Sequence, residues 1–284
     1  MINQRQKNRT TKRNLVIFTA TILTIGWFGH GLDVLLDRTG PESPGTLLWL
    51  VTPLVVTLLL RIFGGDGWKD FGVKLNIKRN VPWYVVAILV YPVLTALVLI
   101  VGATTGPIVF PDSSSNTVRL ILRTFAAGFP ALFVKNIFEE TAWRGYLAPK
   151  IFSLRVNDFL GHFIVGIIWG AWHIPYYLFF LDRTVLTSFT TLDLTVFVLF
   201  SIAAMITWAV VYGEIRFLTG SIWPVVLMHT VENALVNPLF TEHYIRISPG
   251  TDWLISPMNG LISIAIFLAI GIVLNRWRKR KGLS

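Results

Sequence analysis

Three short stretches of the chain carry side chains able to activate water. FEETAWRGYL holds Glu139, Glu140 and Arg144, IIWGAWHIPYYL holds Trp169 and His173, and SIWPVVLMHTVENAL holds His229, Glu232 and Asn233. A carboxylate withdrawn from water becomes more basic and can take a proton from a water molecule. An imidazole beside it can share that water or carry the proton to a leaving amine, and a second imidazole with an amide N–H can stabilise an oxyanion. Two His and one Glu could equally hold a divalent metal such as zinc, with water in the open position. The residue types alone leave both routes open.

The spacings are helical. Glu140 and Arg144 are four apart and share a face, whereas Glu139 is turned about 100° away and pairs most naturally with Lys135 or a neighbouring helix. One carboxylate can therefore work while the other supports it. Trp169 and His173, and likewise His229 and Asn233, also stand four apart. Each cluster alone has an ordinary explanation, such as an ion-paired helix end or a hydrogen bond between membrane helices. Their depth is what sets them apart, because a charge at the bilayer centre costs at least ~2.5 kcal/mol, and those retained usually pair, line a wet cavity or work.

The elements that must position these groups are transmembrane helices. Of 284 residues, 54% are apolar and 14% charged, against about 25% charged in a soluble domain. The apolar residues fall in runs near the ~20 residues that span a bilayer. Eight spans are predicted: Leu15 to Leu36, Leu47 to Ile62, Val81 to Val101, Val118 to Phe138, Phe159 to Leu181, Leu192 to Tyr212, Ser221 to Phe240 and Leu254 to Arg276. The first follows a basic leader and lacks a clear small-x-small cleavage site, so it reads as a signal anchor. The expected fold is an all-α polytopic membrane protein of about eight transmembrane helices. It forms one membrane-embedded domain over 1–284, with a core at 120–240 carrying the three motifs.

Positive residues are retained on the cytoplasmic side, and both termini are expected there. Of 25 Lys and Arg, Arg38, Arg119, Arg123, Arg183 and Arg246 fall outside and Lys135 lies within the fourth span, which leaves 19 inside. Gly64 to Asn80 mixes aromatic residues with lysines and reads equally as an interfacial stretch or a plain polar loop. Pro107 to Ser115 reads as a turn-rich outer loop. The net charge of +10 collects beside apolar segments, which suits membrane lipids as partners and not nucleic acid. Zero Cys removes disulfides, thiol nucleophiles and thiolate metal sites.

The clusters resemble the signature of the CAAX protease and bacteriocin-processing (CPBP, Abi) intramembrane endopeptidases, which include the type II CAAX prenyl endopeptidases. That pattern is EExxxR, FxxxH and HxxxN or HxxxD on separate transmembrane helices, matched here by Glu139, Glu140 and Arg144, by His173, and by His229 with Asn233. Trp169 replaces the usual Phe. The resemblance covers roughly residues 120–240. It implies Glu140 as the water-activating base assisted by His173, His229 and Asn233 on the oxyanion, and Glu139 and Arg144 as supporting residues. A metal, if present, would be held by Glu140, His173 and His229. It also implies a protein or peptide substrate, a prenylated one included, at a multi-pass site in the cell membrane.

No GxSG, GxGD or HExxH element is present. Two readings from other classes remain: an ion- or proton-coupled transporter, and a non-catalytic membrane protein giving bacteriocin self-immunity. At ~1.5 Å per residue, Glu140 falls about 33 Å from Val118, while His173 lies roughly 21 Å beyond Phe159. They meet only if the fourth helix bends, which Pro130 permits, or enters deeply, or if the fifth begins in the cytoplasm. The site is expected in the cytoplasmic half of the membrane.

Overall fold

Polar residues placed just before apolar runs set where the helices begin. Ser43 accepts a hydrogen bond from the Thr46 N–H and precedes Pro44 at the first turn, Asn157 accepts from Phe159, and Asp193 accepts from Thr195. Each satisfies donors that a helix start leaves unpaired. A computed structural model describes residues 4–111 and 115–282; of the turn-rich stretch 107–115, residues 112–114 lie outside the described residues.

The helices are α1 (Gln4–Leu36), α2 (Pro44–Ile62), α3 (Ile77–Thr105), α4 (Ser115–Ala142), α5 (Ala148–Ser153), α6 (Asp158–Pro175), α7 (Arg183–Phe189), α8 (Leu194–Thr219), α9 (Trp223–Thr241), α10 (Asp252–Ile255) and α11 (Leu261–Arg280). Two π-helical turns, Trp143–Leu147 and Tyr176–Phe180, interrupt them, and Ile108–Val109 (β1) pairs antiparallel with Arg246–Ile247 (β2). The protein is an all-α polytopic membrane protein.

Seven helices among the described residues are long and apolar enough to cross a membrane, where eight were predicted. The predicted span Ser221 to Phe240 does form α9, but His229, Glu232, Asn233 and Asn237 reduce its apolar character, and it packs against α3 and α4. Such a helix is stable in lipid because other helices cover its polar face. The predicted span Leu254 to Arg276 is also corrected. It divides into α10 and α11 around Pro257 and Gly260, since proline cannot donate the hydrogen bond a continuous helix needs.

The bundle has two chemically different ends. At the basic end, Arg13 reaches the Gly64 carbonyl, Ile222 N–H bonds to Gly72 O, and Asp158 is held by Arg278 (2.7 Å) and Lys279 (3.2 Å). At the opposite end, β1 meets β2 and Asp252 accepts from Thr190 and Thr191. The depth problem resolves in these terms. Helix continues from Asn116 to Ser153, 38 residues, or about 57 Å at ~1.5 Å per residue, so it runs well past a hydrocarbon core of ~30 Å. The start of α6 is pinned beside the last turn of α11, which raises His173 to the level of the carboxylates.

Candidate functional site

Helix α4 delivers the two carboxylates at its end, immediately before the Trp143–Leu147 π-turn that carries Arg144. A π-turn inserts a residue and leaves backbone carbonyls without helical partners, and such turns recur at functional sites. Here two arginines supply partners: Arg216 Nε donates to Arg144 O at 3.1 Å, and Arg61 donates to Gly145 O. The second π-turn follows Pro175, two residues past His173, where the missing proline N–H already breaks the ladder.

Glu140 is fully buried and its Oε1 is doubly engaged. Arg144 Nη1 lies 3.0 Å away and His229 Nδ1 2.8 Å away. Because a carboxylate here only accepts, His229 carries its proton on Nδ1 and turns Nε2 elsewhere. The Arg144 guanidinium is sandwiched between Trp169 and Tyr212, 4.2 and 4.5 Å from their ring centroids. That stacking offsets part of the cost of burying it.

Glu139 has different company. Lys135 Nζ is 2.6 Å from its Oε1, and Trp169 Nε1 donates to Oε2 at 3.3 Å. Lys135 also donates to Asn233 Oδ1 at 3.2 Å, while the Asn233 amide nitrogen donates to Glu232. His173 Nδ1 is 2.9 Å from the Trp169 carbonyl. A carbonyl cannot donate, so Nδ1 carries the hydrogen and Nε2 is left as an acceptor.

His173, His229, Asn233, Lys135 and Glu232 all line one cavity of about 370 Å³. Glu139, Glu140 and Arg144 do not reach its wall; they stand directly behind it, joined through Lys135, Trp169 and His229. The three predicted motifs are thus brought to one place. The spacing pairs Lys135 with Glu139, as the structure does at 2.6 Å, and gives Glu232 no role beyond a charge at bilayer depth; both also line the wall. The rest of the wall is largely aromatic and aliphatic, with Asn237 and Thr241 on α9 and with Ser201 and Asn259 joined by a 3.0 Å hydrogen bond on its far side.

Glu140, His173 and His229 are not gathered as a metal-ligand set in this structure. Glu140 Oε1 is taken by Arg144 and by the Nδ1–H of His229, and among the described residues no three His, Cys, Asp or Glu side chains converge as a metal site would require. No metalloprotease character follows from this geometry.

The fold and site define a polytopic helical membrane protein with carboxylates, imidazoles and a carboxamide gathered at an internal cavity. Residues 121–235 of the chain form a domain that matches the family described as Type II CAAX prenyl endopeptidase Rce1-like. That stretch holds every predicted site residue. The match supports a CAAX-type intramembrane endopeptidase in general terms. No curated protein matches the chain.

Proposed function

We propose that the protein hydrolyses a peptide bond in a membrane-associated protein or peptide, using water activated by a carboxylate and an imidazole. Of the two carboxylates, Glu140 is assigned as the base and Glu139 as its support. The observation that carries this is that Arg144 and His229 both engage Oε1 of Glu140 and leave its Oε2 without a hydrogen-bond partner among the described residues, whereas Glu139 is held through both oxygens by Lys135 and Trp169.

Water placed between Glu140 Oε2 and His173 Nε2 gives up a proton as its oxygen adds to the substrate carbonyl carbon. The carbonyl oxygen becomes an oxyanion, which a proton on His229 Nε2 stabilises. Glu140 Oε1 holds the opposite nitrogen of that ring and so fixes its orientation. The proton taken from water then passes to the departing amine as the C–N bond breaks. Asn233 can add a second donor to the oxyanion once its amide nitrogen leaves Glu232.

A purified reporter-peptide cleavage assay tests the assignment. Glu140→Gln and His173→Ala are expected to lower kcat by about 10²–10⁴-fold, the usual contribution of a positioned acid or base. Equal turnover in both variants and in the unaltered protein would refute it.

A further inference from the structure

We propose that the cavity is entered from the extracytoplasmic face, so that the substrate is a peptide segment presented at the outer surface or in the outer leaflet and not a chain end delivered from the cytoplasm. This rests on the hydrolase reading above for the word substrate, but not for the direction of access.

Three independent observations carry it. The first is charge. Every Lys and Arg except Lys135 and the five at positions 38, 119, 123, 183 and 246 lies at or beside the basic end, and such an imbalance places that end in the cytoplasm.

The second is where the cavity runs. From His173 and His229 its wall continues through Leu181, Val185 and Phe189 around α7, Asn237 and Thr241 at the end of α9, and Asn259 after α10. All of these belong to the opposite end of the bundle. No residue of 61–79, 143–158 or 276–281 takes part in the wall.

The third is a seal at the basic end. The segment 63–76 folds under the Trp143–Leu147 π-turn, where Phe71 packs against Gly145. It is fastened there by Arg61 to Asp70 (2.9 Å), Lys150 to Asp70 (3.0 Å), Arg216 to Asp70 O (2.7 Å) and Tyr146 to Asp66 (2.7 Å). Trp143, Arg144 and Tyr146 are buried behind it. A peptide approaching from this side meets a closed ion-paired layer.

The predicted cytoplasmic-half location suits the α4 carboxylates but not the opening. A lipidated C-terminus held at the inner surface would have to cross the bundle to reach His173.

The absence of cysteine makes the test direct. Single variants Asn237→Cys in the cavity wall, Thr187→Cys on α7 and Lys74→Cys in the basic-end segment are expressed in cells, and their folding is checked by gel filtration. They are then treated with a charged, membrane-impermeant thiosulfonate. Asn237→Cys and Thr187→Cys are expected to react in intact cells, and Lys74→Cys only in inside-out vesicles. Reaction of Asn237→Cys only in inside-out vesicles overturns the proposal, as does its failure to react from either side while Thr187→Cys is labelled. Outward labelling in a protein that cleaves no peptide would leave the access route standing and remove the hydrolase reading, so the two fail separately.

Discussion

His229 Nδ1 stands 2.8 Å from the same Glu140 oxygen that Arg144 approaches to 3.0 Å. One carboxylate thus sets the orientation of an imidazole and neutralises a buried guanidinium at once. Breaking a buried ion pair by removing one partner costs about 3–5 kcal/mol, because the other charge is stranded. Arg144→Ala is therefore expected to destabilise the protein by that order, read as a lower melting temperature in detergent. The double variant Glu140→Leu/Arg144→Met should recover much of the stability without recovering cleavage, since His229 loses the acceptor that holds its ring. Wild-type melting of Arg144→Ala would contradict this account.

The Asp70 clamp makes a pH dependence. Burial pushes the Asp70 carboxyl up, but hydrogen bonds and charge from Arg61 and Lys150 outweigh it and hold the group below its ordinary value of 3.8. For a carboxyl depressed in the folded state, the stabilisation is full above the unfolded value and fades as pH falls through the folded one. Segment 63–76 should therefore resist protease at neutral pH and loosen only below 3.8. Asp70→Asn should loosen it at neutral pH and flatten that dependence. A profile in Asp70→Asn identical to the parent protein would remove the clamp.

Arg216 holds the π-turn by a fork that lysine cannot copy. Its Nε donates to Arg144 O and its Nη2 to Asp70 O, two acceptors that a single ammonium cannot meet in the same geometry. Arg216→Lys keeps the charge and strands a carbonyl, at a cost of about 1–3 kcal/mol. Because the π-turn carries Arg144, kcat is expected to fall while KM changes little. A rise in KM alone would assign Arg216 to substrate binding instead.

The helices were legible in the sequence for a simple reason. In lipid an apolar run of some 20 residues has to satisfy its own backbone, and a helix does so within one segment. His173 and His229 were legible because polar groups at such depth are conspicuous. Other features depend on contacts that no local pattern contains. The Trp143–Leu147 π-turn has no proline to announce it, and its carbonyl partners come from α2 and α8. That Glu140 meets Arg144 and Glu139 meets Lys135 follows from spacing, but the approach of His229 to Glu140 and of Trp169 to Glu139 is set by helix packing. Glu232 reads in sequence as one more buried charge, and only the assembled wall shows it beside Asn233. The direction of the cavity is likewise a property of how α7, α9 and the turn after α10 close together.

The seam between α6 and α8 offers a last test, because it fixes the height of Trp169 and His173. Gly166 lies against the backbone of Ile206, so a methyl group there would collide with atoms that cannot rotate away. Gly170, one turn on, would place its methyl 3.0 Å from Ile202 Cγ1, a side-chain atom with some freedom to move. Close approach through small residues is a main way membrane helices pack, and overfilling such a contact costs about 1–3 kcal/mol. Gly166→Ala is expected to fall at the upper end of that range and Gly170→Ala at the lower, measured by melting in detergent. Gly166→Ala should also lower cleavage beyond what its stability explains, since pushing α6 off α8 carries His173 away from Glu140. Equal tolerance of the two substitutions would show that the seam does not set the site.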